Sequence, residues 1–187
     1  MSSPRSQARS SARRFIAIPI PDSLRDALAA IAPAPASGIR PVDVHGLHLT
    51  LHFLGDVTQK AVESALDGFA LSPFELVLRG AGHFSPPTGD TVLWIGVAPG
   101  AALMQLHGEL GERLRDAGLK TESRPFTPHL TLARCAARVD KRLINDWLDA
   151  WQDFGPVPSP VSAVQLYRSE RVVGAAPHYE IEAGWPA

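Results

Sequence analysis

His48-Leu-Thr-Leu-His-Phe-Leu-Gly55 alternates polar and apolar residues, and its first four letters return at His129-Leu-Thr-Leu132. With 7 His, 7 Thr and 21 Leu in 187 residues, two such tetrapeptides are roughly a 10⁻⁵ coincidence. In the first copy His48, Thr50 and His52 point one way, while Leu47, Leu49, Leu51 and Phe53 point the other. In the second, His129 and Thr131 oppose Leu130 and Leu132. Period two marks a half-buried strand, with histidine and threonine on the wetter face. The ordinary histidine pKa, about 6.5, lets the side chain take or give a proton near neutrality. Two histidines in matching frames suggest a general acid and a general base.

Working outward, each copy is followed by a helical pattern. Thr58 can cap a helix through Val62, Leu66 and Phe69, and Asp140 caps one carrying Leu143, Ile144, Trp147, Leu148 and Trp151. Before the first copy come a β-prone run at Phe15–Ile18 and an amphipathic segment through Leu24, Leu28 and Ile31. The stretch from Pro33 to Gly38 reads as a loop. Between the copies, strands are expected at Phe74–Leu78 and Thr91–Val97, joined by the Gly/Pro-rich segment Gly80 to Gly89. A helix with Leu103, Leu106, Leu110 and Leu114 on one stripe follows, stopped by Gly118. Strands at about Val161–Tyr167 and His178–Ala183 end the pattern. The expected fold is α+β: a bilobal, pseudo-twofold arrangement of two antiparallel sheets with flanking helices and an active-site cleft between the lobes. Residues 13–187 read as one bilobal domain. The Arg/Ser-rich residues 1–12 read as a disordered extension.

Composition bounds the function. A net charge of −1 supplies no field to hold the protein on long duplex nucleic acid. A short RNA end or a nucleotide in a local cleft is compatible with it. The one cysteine, Cys135, excludes an internal disulfide and fits a reducing, cytoplasmic setting. No apolar run approaches the roughly 18 residues of a spanning helix, so no membrane partner is expected.

Taken together, His48-Leu-Thr-Leu with Phe53-Leu-Gly55, and Phe126-Thr-Pro-His-Leu-Thr-Leu-Ala-Arg134, resemble the two signature motifs of the two-histidine phosphoesterase superfamily. Within it they look like the RNA 2′,3′-cyclic phosphodiesterases once described as 2′-5′ RNA ligases. Arg14-Phe-Ile-Ala-Ile-Pro, Gly82-His-Phe84, Leu93-Trp-Ile-Gly96 and Leu166-Tyr-Arg-Ser169 match in the same order, so the likeness covers about residues 13 to 183. The resemblance implies hydrolysis of a 2′,3′-cyclic end to a 2′-phosphate, with His48 as proton donor and His129 as proton acceptor. It also implies a monomer working without metal or cofactor on RNA ends or small cyclic phosphates. The chemistry itself requires one acid and one base and leaves open which histidine is which.

Thr50 and Thr131 share the histidine face by strand period and can hydrogen-bond the phosphate oxygens. Arg134 suits a phosphate, although strict alternation puts it off that face unless the strand bulges there. His52 shares the face of His48 and is a further candidate contact. It stands where relatives often carry Lys or Arg, and a neutral imidazole would hold phosphate more weakly. Phe53 is kept as a candidate substrate contact, while Phe126, Trp94 and Tyr167 read as core. His83 reads as structural, and His45, His107 and His178 show no constellation. Cys135 reads as a small buried hydrophobe. Three other readings compete: a metal hydrolase, a non-catalytic RNA-end or nucleotide binder, and ligation or small cyclic phosphates as the main task. A metal hydrolase would need three or four convergent ligands, and neither motif carries a carboxylate on its histidine face.

Overall fold

The computed structural model describes residues 13–170 and 178–187; the expected N-terminal extension lies outside them. In chain order the elements are β1 (Arg13–Pro19), α1 (Asp22–Ile31), β2 (Ile39–Pro41), β3 (His48–Gly55), α2 (Gln59–Ala65), β4 (Phe74–Phe84), β5 (Thr91–Val97), α3 (Ala101–Asp116), β6 (His129–Cys135), α4 (Lys141–Trp151), β7 (Val157–Val161), β8 (Ala163–Glu170) and β9 (His178–Pro186). The strands run β7-β4-β5-β6-β3-β1-β8-β9, with β2 added beside β6. The two expected sheets are thus two halves of one continuous antiparallel sheet. They meet at the single pair Leu49–Leu130, between the two His-x-Thr strands. Around this junction β1-α1-β3-α2, with the short β2 inserted after α1, and β5-α3-β6-α4 run in the same order, the sequence repeat written at the scale of the fold.

One face of the sheet is the core. Leu49, Leu51, Leu130 and Leu132, all 4% exposed or less, pack with Leu28, Val62, Leu110 and Trp147 from the four helices. Each such leucine contributes about 1.5–3 kcal/mol on burial, which fixes the phase of both strands and turns their histidines to the other face. The caps read from sequence form: Thr58 Oγ1 accepts from Ala61 N–H at 3.2 Å, and Asp140 Oδ1 from Arg142 N–H at 2.9 Å. Arg14 is held by two donations to Glu182, at 2.5 and 2.8 Å, tying β1 to β9.

Several features of the structure depart from the sequence reading. β3 and β6 both slip register, between the pairs Ala17–Thr50 and Ile16–His52 in one and between Trp94–Thr131 and Leu93–Ala133 in the other. Leu51 and Leu132 are the extra residues, and both strands share one burial sequence: intermediate, buried, intermediate, buried, buried, exposed, buried. A bulge reverses the facing of everything after it. The second departure is β4, which continues to Phe84 where a loop was expected from Gly80. Gly80 adopts φ +68° and donates its N–H to Phe154 O at 2.7 Å, after which the ladder resumes at Ala81–Ile95. Third, α2 ends at Ala65 rather than reaching Phe69. No described helix is long and apolar enough to cross a membrane.

Candidate active site

His48 and His129 open their strands on the face away from the helices, one residue before the Leu49–Leu130 pair. Each ring is oriented in the same way. His48 Nδ1 lies 2.6 Å from Gly46 O, and His129 Nδ1 lies 2.7 Å from Thr127 O. A carbonyl only accepts, so each Nδ1 carries the proton and donates it. Both Nε2 atoms are thereby left for chemistry. The repeat therefore extends to the carbonyl two residues ahead, which the tetrapeptide does not contain.

The surroundings of the two rings differ. His48 lies in an aromatic box: Phe15 at 4.8 Å and tilted 32°, Tyr167 at 5.6 Å and nearly parallel, Tyr179 at 5.2 Å and edge-on. His129 has Phe84 edge-on at 4.9 Å and Trp94 at 6.0 Å. Burial lowers the pKa of both rings below the ordinary histidine value, and the backbone carbonyls pull the other way. Charge on His129 lowers His48 further, so a proton on one ring disfavours a proton on the other. The Arg134 guanidinium lowers His129. The rings thus differ in surroundings: aromatic side chains enclose His48, and a guanidinium acts on His129.

Thr50 and Thr131 are half-buried on the histidine face. Arg134 and Phe53, the residues two beyond the bulges, also turn to this face, Phe53 51% exposed and 5.9 Å from Phe15. The bulge that Arg134 required is present. The equivalent bulge in β3, at Leu51, removes His52, which corrects its expected place. His52 is 4% exposed on the helix side, and its Nε2 donates to His107 O at 2.9 Å. Its ring stacks on His107 at 4.3 Å, and His107 stacks on Phe126 at 4.0 Å. His107, read as lacking a constellation, belongs to this buried stack, where burial and the charges of His52 and Arg115 push its pKa down to about 4. His52 therefore makes no substrate contact from here. Phe126 leads into Thr127, so the stack anchors the segment whose carbonyl orients His129. Cys135 is buried and free. Phe15 and Tyr179 are the site residues sequence reasoning missed. Phe15 was legible only as a strand residue, and Tyr179 sits in β9, far along the chain.

Among the described residues no three His, Cys, Asp or Glu side chains converge as metal ligands would. Among the groups this face carries are two imidazoles, two hydroxyls and the Arg134 guanidinium. Such a set can move two protons and hold an anion.

A continuous sheet with two His-x-Thr strands about a pseudo-twofold has the layout of a two-histidine phosphoesterase. The chain belongs to the 2′-5′ RNA ligase superfamily, whose family model matches residues 20–172. It is 29% identical over 175 residues to the RNA 2′,3′-cyclic phosphodiesterase of Methanocaldococcus jannaschii, covering 92% of this chain and 99% of that one. It is 38% identical over 133 residues to the Escherichia coli K12 protein of the same name, covering 67% and 73%. The crystal structure of E. coli LigT complexed with 3′-AMP superposes with a TM-score of 0.73 at 28% identity, over 94% of this chain and 98% of that one.

Proposed function

We propose that this protein hydrolyses 2′,3′-cyclic phosphate ends of RNA to 2′-phosphates by paired histidine acid–base catalysis. The observation that carries the reading is the pair of Nδ1-to-carbonyl hydrogen bonds, which leaves two Nε2 atoms free on one face. In the step, water attacks phosphorus and gives a proton to His129 Nε2. The bond from phosphorus to the ribose O3′ breaks, and His48 Nε2–H protonates that oxygen. Thr50 and Thr131 hydroxyls and the Arg134 guanidinium meet the charge on the non-bridging oxygens. Phe53 stands beside this face as an apolar contact for the nucleoside. The next turnover needs a proton returned to His48 and one lost from His129, both exchanged with water. The names of the relatives support this substrate, and LigT binds 3′-AMP. In this reading the protein works as a cytoplasmic monomer with no cofactor. Ligation would be the same step with an RNA 5′-hydroxyl in place of water: its oxygen bonds to phosphorus, its proton goes to His129, and O3′ leaves with the proton of His48.

The pH dependence follows from the roles. His129 must be neutral, so activity falls as pH drops through its pKa. His48 must be protonated, so activity falls as pH rises through its own. Both are held below the ordinary value. The expected kcat/KM profile is therefore a bell with its maximum below pH 6.5, unchanged by a chelator. A profile flat from pH 5 to 8, or activity lost in chelator, contradicts the mechanism.

A further inference from the structure

β2 is three residues long, and its register sets two arginines side by side. Ile39 faces Cys135, Arg40 faces Arg134 and Pro41 faces Ala133. Directly opposed residues share a sheet face. Ile39, Cys135 and Ala133 are buried on the core side, so Arg40 and Arg134 both stand on the histidine face, and both are exposed. Like charges directly opposed destabilise a sheet, and this pair shares little compensation. Arg40 is paired with Asp90, while Arg134 makes no ion pair among the described residues. The end of β6 therefore carries two guanidiniums against one carboxylate, in a chain whose net charge is −1. Arg134 acts electrostatically on His129 and on Tyr179, and in the proposed function it takes the reacting phosphate. Arg40 lies at the same level as Arg134, one strand out and about 5 Å away at Cα.

We propose that Arg40 forms a second phosphate subsite, for the phosphate on the 5′ oxygen of the nucleoside that bears the cyclic group. This rests on the proposed function and deepens it: the preferred substrate is a strand end, and a lone cyclic nucleotide lacks the group that Arg40 takes. Asp90 holds the guanidinium in place and competes for it.

The test compares kcat/KM on three probes: adenosine 2′,3′-cyclic phosphate, the same molecule with a 5′-phosphate, and an adenosine dinucleotide ending in the cyclic phosphate. The quantity read is the preference for each phosphate-bearing probe over the first. Arg40→Gln is expected to lower that preference about fivefold at 0.1 M salt, and to reduce the salt slope of dinucleotide binding by about 0.7. Asp90→Asn is expected to raise the preference. A response confined to the dinucleotide identifies an internucleotide phosphate, and a response shared with the 5′-phosphorylated nucleotide identifies any phosphate at that position. An unchanged preference, or equal losses on all three probes, overturns the subsite. Binding of the 2′-phosphate product dinucleotide, followed by fluorescence anisotropy, reads Arg40 without turnover. A protein that hydrolyses none of the probes yet binds this product through Arg40 would retire the proposed reaction and keep the subsite.

Discussion

Alanine at His129 is expected to lower kcat on a cyclic-phosphate RNA end by about 10³-fold, and alanine at His48 by a similar factor. Both side chains are partly exposed at strand starts rather than in the leucine core, so the melting transition should stay close to that of the parent. The two act on one transition state, and the double variant should be little worse than the worse single one. The limbs of the pH profile distinguish the roles. Without the base at 129, the acid limb of the bell disappears; without the acid at 48, the basic limb disappears. Exchanged limbs would reverse the assignment, and near-full activity in either variant would remove that histidine from the mechanism.

The largest expected effect on stability is at Gly82. A Cβ built there would lie 2.1 Å from Trp94 Cη2 and 2.3 Å from Cζ2. The indole lies flat on the glycine across the Gly82–Trp94 pair of β4 and β5, between Phe84 and His129. Gly82→Ala must push the ring out of this slot. We expect a loss of about 3 kcal/mol, at the upper end for overpacking, with kcat falling about tenfold as the indole shifts against His129. In a Trp94→Leu background the same substitution should cost less than about 1 kcal/mol. A double-mutant cycle by urea denaturation checks the coupling. Equal costs in both backgrounds would show that the indole is not what Gly82 accommodates.

The strands, the helices and the facing of His48, Thr50, His129 and Thr131 were legible because the leucine phase is strong and local. The bulges were less so. His-Leu-Thr-Leu-His-Phe is compatible with unbroken alternation, and only the phase change from Leu51 to Leu54 hints otherwise. What places His52 under α3 is long-range: Gly111 lets the helix approach to where a Cβ would stand 3.1 Å from the His52 ring, and the His107 carbonyl accepts a hydrogen bond from its Nε2. β7 was hidden by Pro158 and Pro160. Prolines argue against a central strand, yet among the described residues β7 pairs only with β4, at the edge, where they block further pairing. The aromatic box around His48 was not legible. Phe15, Tyr167 and Tyr179 come from three strands brought together by the pairing of the two ends of the chain. The different surroundings of the two histidines follow from that box and from the bulge at Leu132 that turns Arg134 to their face.

End-group analysis of the products from a short RNA with a 2′,3′-cyclic phosphate, incubated with the protein in chelator, tests the central claim most directly. The account predicts a single 2′-monophosphate product. A 3′-monophosphate would contradict the direction of proton donation, and an unaltered cyclic end would contradict the proposed reaction itself.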